Sequence, residues 1–126
     1  MAETAAVKQT GGERMNSGQD LFTELQDKQR LLERALCELG KRGRAKAKSE
    51  HDYRVALAQE MLKKRDAGYP ATILSDLCRG ERDIAKLKFE RDVAETMYTA
   101  ALEAINAYKL NIRVLSDQID REWHRT

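Results

Sequence analysis

Apolar residues recur every seven positions along the C-terminal part of the chain. One series is Ile84, Arg91, Tyr98, Ile105, Ile112 and Ile119. A second series is Leu87, Ala94, Ala101, Tyr108, Leu115 and Glu122. A seven-residue repeat sustained over this length is typical of two helices wound around each other. Because Gly and Pro are absent after Gly80, we predict one uninterrupted helix over residues 81–123.

A second apolar stripe lies nearer the N-terminus, in residues 20–67. It comprises Leu21, Leu25, Leu32, Leu36 and Leu39, and it resumes at Tyr53, Leu57, Met61 and Leu62. These steps of three, four and seven residues predict a long amphipathic helix, capped at its start by Ser17 or Asp20. Gly68 and Pro70 predict its end.

The segment between the two long helices, residues 68–80, reads GYPATILSDLCRG. Pro70 suits the first turn of a helix, and Gly80 suits its end. We predict a short capping helix in the turn, with Ile73, Leu74 and Leu77 on its packed side.

Two helices of similar length that fold back at this turn predict an all-α protein, a long antiparallel two-helix coiled-coil hairpin. The predicted pairing places Leu57 opposite Arg91. The Arg91 guanidinium then either reaches solvent along its stem or pairs with Glu50 or Glu60. Residues 1–19 carry few apolar groups, so we predict a flexible tail there and the hairpin in residues 20–126.

Several apolar residues of the second long helix lie off the sevenfold seam, where a hairpin alone leaves them uncovered. We predict that they form a protein interface and that hairpins assemble into a helical bundle, with a dimer as the favoured oligomer. The candidate interface residues are Met97, Leu102, Leu110, Val114 and Trp123.

A basic run interrupts the first stripe: residues 40–48 read GKRGRAKAK. Its cations could contact phosphates of a nucleic acid, and the candidates are Lys41, Arg42, Arg44, Lys46 and Lys48. They spread around the helix and have no aromatic residues between them for base stacking. The favoured interpretation is therefore a solvated break, in which Gly40 and Gly43 permit a kink or a close helix approach.

The net charge, the two histidines and the two cysteines indicate no further binding or catalytic chemistry. The chain of 126 residues has a net charge of +2, so it has no global field that would attract polyanions. His51 and His124 lack partners at ligand spacing, and Cys37 and Cys78 are expected to be small packing residues. We expect neither an enzyme, a metal site nor a cofactor.

The N-terminus lacks the apolar core of a signal peptide, and no stretch approaches the length of a membrane span. We therefore expect no membrane association and a location in the cytoplasm.

Residues 50–123 carry a GYP turn at Gly68–Pro70, an ILSDL element and a closing IDREW. In these motifs the chain resembles small, functionally uncharacterised helical proteins of phages and prophages of Gram-positive bacteria. The resemblance implies an accessory protein inside the bacterial host cell, with a host or phage protein as partner. Roles in recombination, replication or counter-defence would fit, and the resemblance supplies no catalytic or binding residue.

Overall fold

The structure, a computed structural model, describes residues 18–125 of the chain. These residues form three α-helices, which are α1 (Gly18–Asp66), α2 (Ala71–Arg79) and α3 (Arg82–Arg125). The long helices begin and end within two residues of the predicted positions. The predicted tail lies outside the described residues, except for Gly18 and Gln19, which belong to α1.

The end of α1 is fixed by a glycine, as the sequence predicts. Gly68 has a φ of 94°, in the left-handed region that favours glycine. Its N–H donates to the carbonyl of Arg65 at 3.0 Å, and the N–H of Tyr69 donates to the carbonyl of Lys64 at 3.2 Å. These two bonds form a Schellman motif, which satisfies carbonyls that the helix end would leave without partners.

Helix α2 follows Pro70, which takes the N-cap position, and Gly80 takes the C-cap position. The predicted helix is present, but of the three residues predicted on its packed side only Leu74 is buried. Leu74 and Cys78 are buried, whereas Ile73 and Leu77 are exposed. Because Leu74 and Cys78 are four residues apart, they lie on one side of the helix, and this side packs inward.

The described residues divide into two compact units. Unit 1 contains residues 18–36 and 103–125, and unit 2 contains residues 37–102. The buried side chains of unit 1 are Leu21, Ile105 and Leu115. Those of unit 2 are Tyr53, Leu74, Cys78 and Ile84. Each unit therefore has its own core, built in unit 1 from residues of α1 and α3 and in unit 2 from residues of all three helices.

Burial along α3 follows the sevenfold repeat. All twelve residues of the series that begin at Ile84 and Leu87 are buried or half-buried, as predicted. The stripe of α1 is less regular. Leu21 is buried and Leu25, Leu32 and Leu39 are half-buried, but Leu36 and Leu62 are exposed. These two leucines therefore lie outside the packed side of α1, although Leu36 has the helical spacing.

The partners of Arg91 show how α1 and α3 meet within unit 2. Its guanidinium lies 4.7 Å from the centre of the Tyr53 ring, and its Nε lies 3.7 Å from a Glu50 carboxylate oxygen. Glu50 was one of the two carboxylates expected beside Arg91, whereas Glu60 pairs with Lys64 at 3.0 Å. The contact with Glu50 lies one heptad from the Leu57 position that the sequence placed opposite Arg91.

Helix α1 continues through the basic run at residues 40–48, so Gly40 and Gly43 do not interrupt it. A Cβ atom added at Gly43 would lie 3.5 Å from Cε1 of Tyr98. That distance is an ordinary van der Waals contact, so Gly43 lies on the packed side of α1. A Cβ atom at Gly40 would meet only Arg44, at 4.0 Å.

Candidate self-association surface

The outer side of α3 carries large apolar residues that the two long helices leave uncovered. The five candidate interface residues are all exposed, with fractions of 39% for Met97, 38% for Leu102, 56% for Leu110, 49% for Val114 and 76% for Trp123. Val93 is also exposed, at 44%. Their exposure agrees with the sequence prediction that they lie off the sevenfold seam.

Sequence reasoning missed Phe89, which is 66% exposed on α3. Its position gives a usable signal, because Phe89 lies two residues after Leu87 and five after Ile84, on the side of α3 opposite the seam. An aromatic residue at such a position is more informative than a scattered leucine, since aromatic side chains contribute large contact areas to interfaces.

Within unit 2, Phe89 borders a shallow groove with an apolar floor. Val93, Ala94 and Met97 line it from α3, and Ala45 lines it from α1. Its volume is about 250 Å³, and Arg42 and Glu90 stand at its rim. The small alanines leave spaces between the large exposed side chains. The side chains of a packed helix partner require such spaces.

Unit 1 has a groove of its own, of about 540 Å³. Phe22 lies on its α1 side, and Ile119 and Trp123 lie on its α3 side. Phe22 is half exposed, and the sequence prediction did not include it. Both units therefore present aromatic side chains beside a groove between residues of α1 and α3.

The basic run does not form one free cationic face. Arg42 pairs with Glu38 at 3.0 Å, and Lys48 pairs with Asp52 at 2.7 Å. Lys46 lies 5.0 Å from the centre of the Tyr98 ring, in a cation–π contact. Lys41 and Arg44 are exposed. Three of the five candidate phosphate contacts are thus engaged within the chain.

Hydrogen bonds shift the acidity of the Lys48–Asp52 pair. The bond to Asp52 raises the pKa of Lys48, and the bonds from Lys48 and His51 lower the pKa of Asp52. Each shift favours the charged form of the group. The pair therefore stays ionised, and Lys48 keeps 77% of its side chain exposed.

A second charged group surrounds Arg91. Its Nη2 donates to Asp92 at 3.0 Å, and Lys88 donates to the other oxygen of Asp92 at 3.2 Å. The hydrogen bonds from Arg91 and then Lys88 lower the pKa of Asp92, and the bond to Asp92 raises the pKa of Arg91. The open groove beside it, of about 630 Å³, is lined by Gly43, Lys46, Glu50, Arg91 and Tyr98 among others.

Residues 18–125 contain no group of three His, Cys, Asp or Glu side chains placed to hold a metal ion. His51 lies beside Asp52, at 3.4 Å, and Nδ1 of His124 lies 2.7 Å from the carbonyl oxygen of Asp120. Both cysteines are free thiols. Cys78 is buried as expected, but Cys37 is exposed and is not a packing residue.

Among residues 18–125 we find no helical stretch that combines the length and the apolar character of a membrane span. Comparison of the chain with protein-family models, with curated proteins and with solved structures finds no match. The contacts and charges of the chain itself therefore carry the functional argument.

Proposed function

We propose that the chain is a non-enzymatic interaction protein that works by self-association, as an antiparallel coiled-coil hairpin that shares a helical-bundle core with a second copy. One observation carries this proposal. Within residues 18–125, seven apolar side chains are buried whereas fourteen large ones are exposed. A small chain with so few buried side chains gains stability when a second copy covers the exposed ones.

The order of contacts in unit 2 supports the antiparallel arrangement. Gly43 meets Tyr98, and Glu50, further along α1, meets Arg91, which is earlier on α3. Rising positions on one helix thus meet falling positions on the other. Two helices joined through a short connection that contains α2 would pack in this way.

The sevenfold burial of α3 supports a coiled-coil interpretation of this pairing. Tyr98 and Arg91 belong to the same heptad series, and both contact residues of α1. Knobs that recur every seven residues and contact a neighbouring helix are typical of coiled coils.

The cellular location of this interaction protein, its biological process and its partners are also proposals. The likeness of the GYP, ILSDL and IDREW motifs to phage proteins supports a role in the cytoplasm of a bacterial host, in recombination, replication or counter-defence. A host or phage protein would then bind the assembled bundle. A nucleic acid is the less supported partner, because Arg42, Lys46 and Lys48 are engaged within the chain.

Sedimentation equilibrium and light scattering of the purified chain test self-association. From low to high micromolar concentration, we expect the mass to rise from that of one chain towards that of two. A mass that stays at one chain throughout this range would contradict the proposal. A parallel titration with random-sequence DNA at low and moderate salt tests the nucleic-acid alternative, which requires steeply salt-dependent binding.

A further inference from the structure

Two parts of α3 carry exposed surfaces that are complementary to each other. We define the first patch as Lys86, Phe89, Asp92 and Val93, in unit 2. We define the second patch as Leu110, Arg113, Val114 and Asp117, in unit 1. Each patch has two large apolar residues four positions apart, and each has one acidic and one basic side chain beside them.

We propose that the first patch of one copy binds the second patch of another copy, with the two α3 helices antiparallel. The occupant of this surface is thus a second copy of the chain. The inference rests on the self-association proposed above and adds the residues and the orientation.

The apolar residues match when the helices run in opposite directions. Phe89 and Val93 are four residues apart, as are Leu110 and Val114. In the antiparallel arrangement Phe89 of one copy lies on Val114 of the other, and Val93 lies on Leu110. Each layer then contains one valine and one larger side chain, so the two layers have similar widths.

The charges select the same orientation. Lys86 precedes Phe89 by three residues, and Asp117 follows Val114 by three, so these opposite charges meet in the antiparallel pair. Asp92 lies beside the layer of Val93 and Leu110, and Arg113 lies beside the layer of Phe89 and Val114. A parallel pair would instead place Lys86 on Lys86 and Asp117 on Asp117, which like charges disfavour.

The cations and anions of the patches are available for these contacts. Lys86, Arg113 and Asp117 are exposed, and within residues 18–125 none of these three is in an ion pair. Asp92 is bound by Arg91 and Lys88 but keeps 48% of its side chain exposed. Each copy carries both patches and can therefore supply either side of the contact.

Val93→Glu tests the location of the interface. It places a carboxylate in the apolar layer of each copy, and we expect the dissociation constant of the dimer to rise roughly a hundredfold or more. The matched control is Val55→Glu on α1, because Val55 and Val93 are exposed to a similar extent, 42% and 44%. Circular dichroism confirms that both variants keep their helices, and sedimentation equilibrium gives the constants.

A charge exchange tests the pairing of Lys86 with Asp117. Lys86→Asp and Asp117→Lys should each weaken the dimer about three- to tenfold at low salt, because each puts like charges together. The double variant restores the opposite charges, so we expect its dissociation constant to return to within about threefold of the original.

Disulfide formation between variant copies tests the orientation, in a Cys37→Ser background that removes the exposed thiol. Facing Cα atoms of two close-packed helices lie about 4–6 Å apart, within the range of a disulfide. We expect a mixture of Phe89→Cys and Val114→Cys chains to form a mixed covalent dimer, and neither variant to cross-link efficiently alone.

The outcomes separate this inference from the proposed function. A dimer that Val93→Glu leaves unchanged, a charge exchange that does not restore binding, or a Phe89→Cys chain that readily cross-links with itself would overturn the interface. Self-association of the original chain would then stand. A chain that stays monomeric at all concentrations would overturn both.

Discussion

The two units fill the space between α1 and α3 with different kinds of side chain. Unit 1 buries aliphatic residues, namely Leu21, Ile105 and Leu115. The middle of unit 2 places cations over aromatic rings. Arg91 lies over Tyr53 at 4.7 Å, and Lys46 lies over Tyr98 at 5.0 Å.

The comparison shows that position in the repeat, rather than residue type, decides burial on α3. Arg91 belongs to the series that begins at Ile84, and its side chain is only 25% exposed. Leu110 lies off both series and is 56% exposed. A guanidinium can occupy a seam position because its stem packs along apolar surface and its head finds a ring and carboxylates.

The largest effect is expected from the aliphatic core of unit 1. Ile105→Ala removes a side chain that is 4% exposed and leaves a cavity that the surrounding residues fill only in part. We expect the free energy of unfolding to fall by about 2–4 kcal/mol. Urea unfolding followed by circular dichroism, at one fixed protein concentration, measures this loss.

Leu36→Ala is the control for Ile105→Ala, because it deletes a side chain of the same size from an exposed position of the same unit, outside the proposed interface. It should change the free energy of unfolding by less than about 1 kcal/mol. Equal losses in the two variants would show that the sevenfold series does not mark the core of unit 1.

The sequence predicts most of the architecture because α3 offers a long and regular signal. Its heptad positions identify the packed side, and Gly68 and Gly80 mark where helices end. Short elements are less predictable. Helix α2 has apolar residues on more than one side, so spacing alone did not show that Leu74 and Cys78, rather than Ile73 and Leu77, pack inward.

The sevenfold repeat also does not determine which residues of α1 and α3 face each other around Arg91. Heptad spacing does not fix which residue of α1 lies against Arg91, because Glu50, Tyr53 and Leu57 follow one another on α1 at steps of three and four residues. The geometry of the connection through α2 determines which of these residues lies against Arg91. The heptad pattern does not encode that geometry.

The candidate site likewise has one feature that the sequence predicts and one that it does not. The exposure of Met97, Leu110 and Val114 follows from the repeat, and the sequence predicted it. The state of the basic run does not follow from composition. Its ion pairs could nevertheless be predicted from the spacing, because Glu38 precedes Arg42 by four residues and Asp52 follows Lys48 by four.

A smaller effect is expected from the cation–aromatic layer of unit 2. Arg91→Glu removes the contact with the Tyr53 ring and places a third carboxylate beside Glu50 and Asp92. We expect the free energy of unfolding to fall by about 1–2 kcal/mol. The loss should shrink as salt is added, because salt screens the repulsion between partly exposed carboxylates.

Arg91→Leu separates charge from position in this layer. It keeps an apolar side chain in the seam and introduces no repulsion, so the free energy of unfolding should stay within about 1 kcal/mol of the original. If Arg91→Leu were as damaging as Arg91→Glu, the guanidinium itself would hold the layer together and the seam position would matter less than we infer.

The smallest effect on stability is expected when acid protonates Asp92 in the cation–aromatic layer of unit 2. The hydrogen bonds from Arg91 and Lys88 hold the pKa of Asp92 below its usual value of 3.8. The unfolded chain therefore binds a proton at this carboxyl before the folded chain does. The stabilising contribution is present above about pH 4 and is lost as the pH falls through the lowered pKa of the folded state.

Asp92→Asn removes this contribution, so its stability should fall less steeply than that of the original chain below pH 4. Asp120→Asn is the control, because it removes an exposed carboxylate of α3 that lies outside the proposed interface and does not touch Arg91 or Lys88. Urea midpoints measured between pH 5 and about pH 2 would show the difference. An Asp92→Asn profile as steep as the original would mean that the charged layer of unit 2 contributes no more to acid sensitivity than the aliphatic core of unit 1.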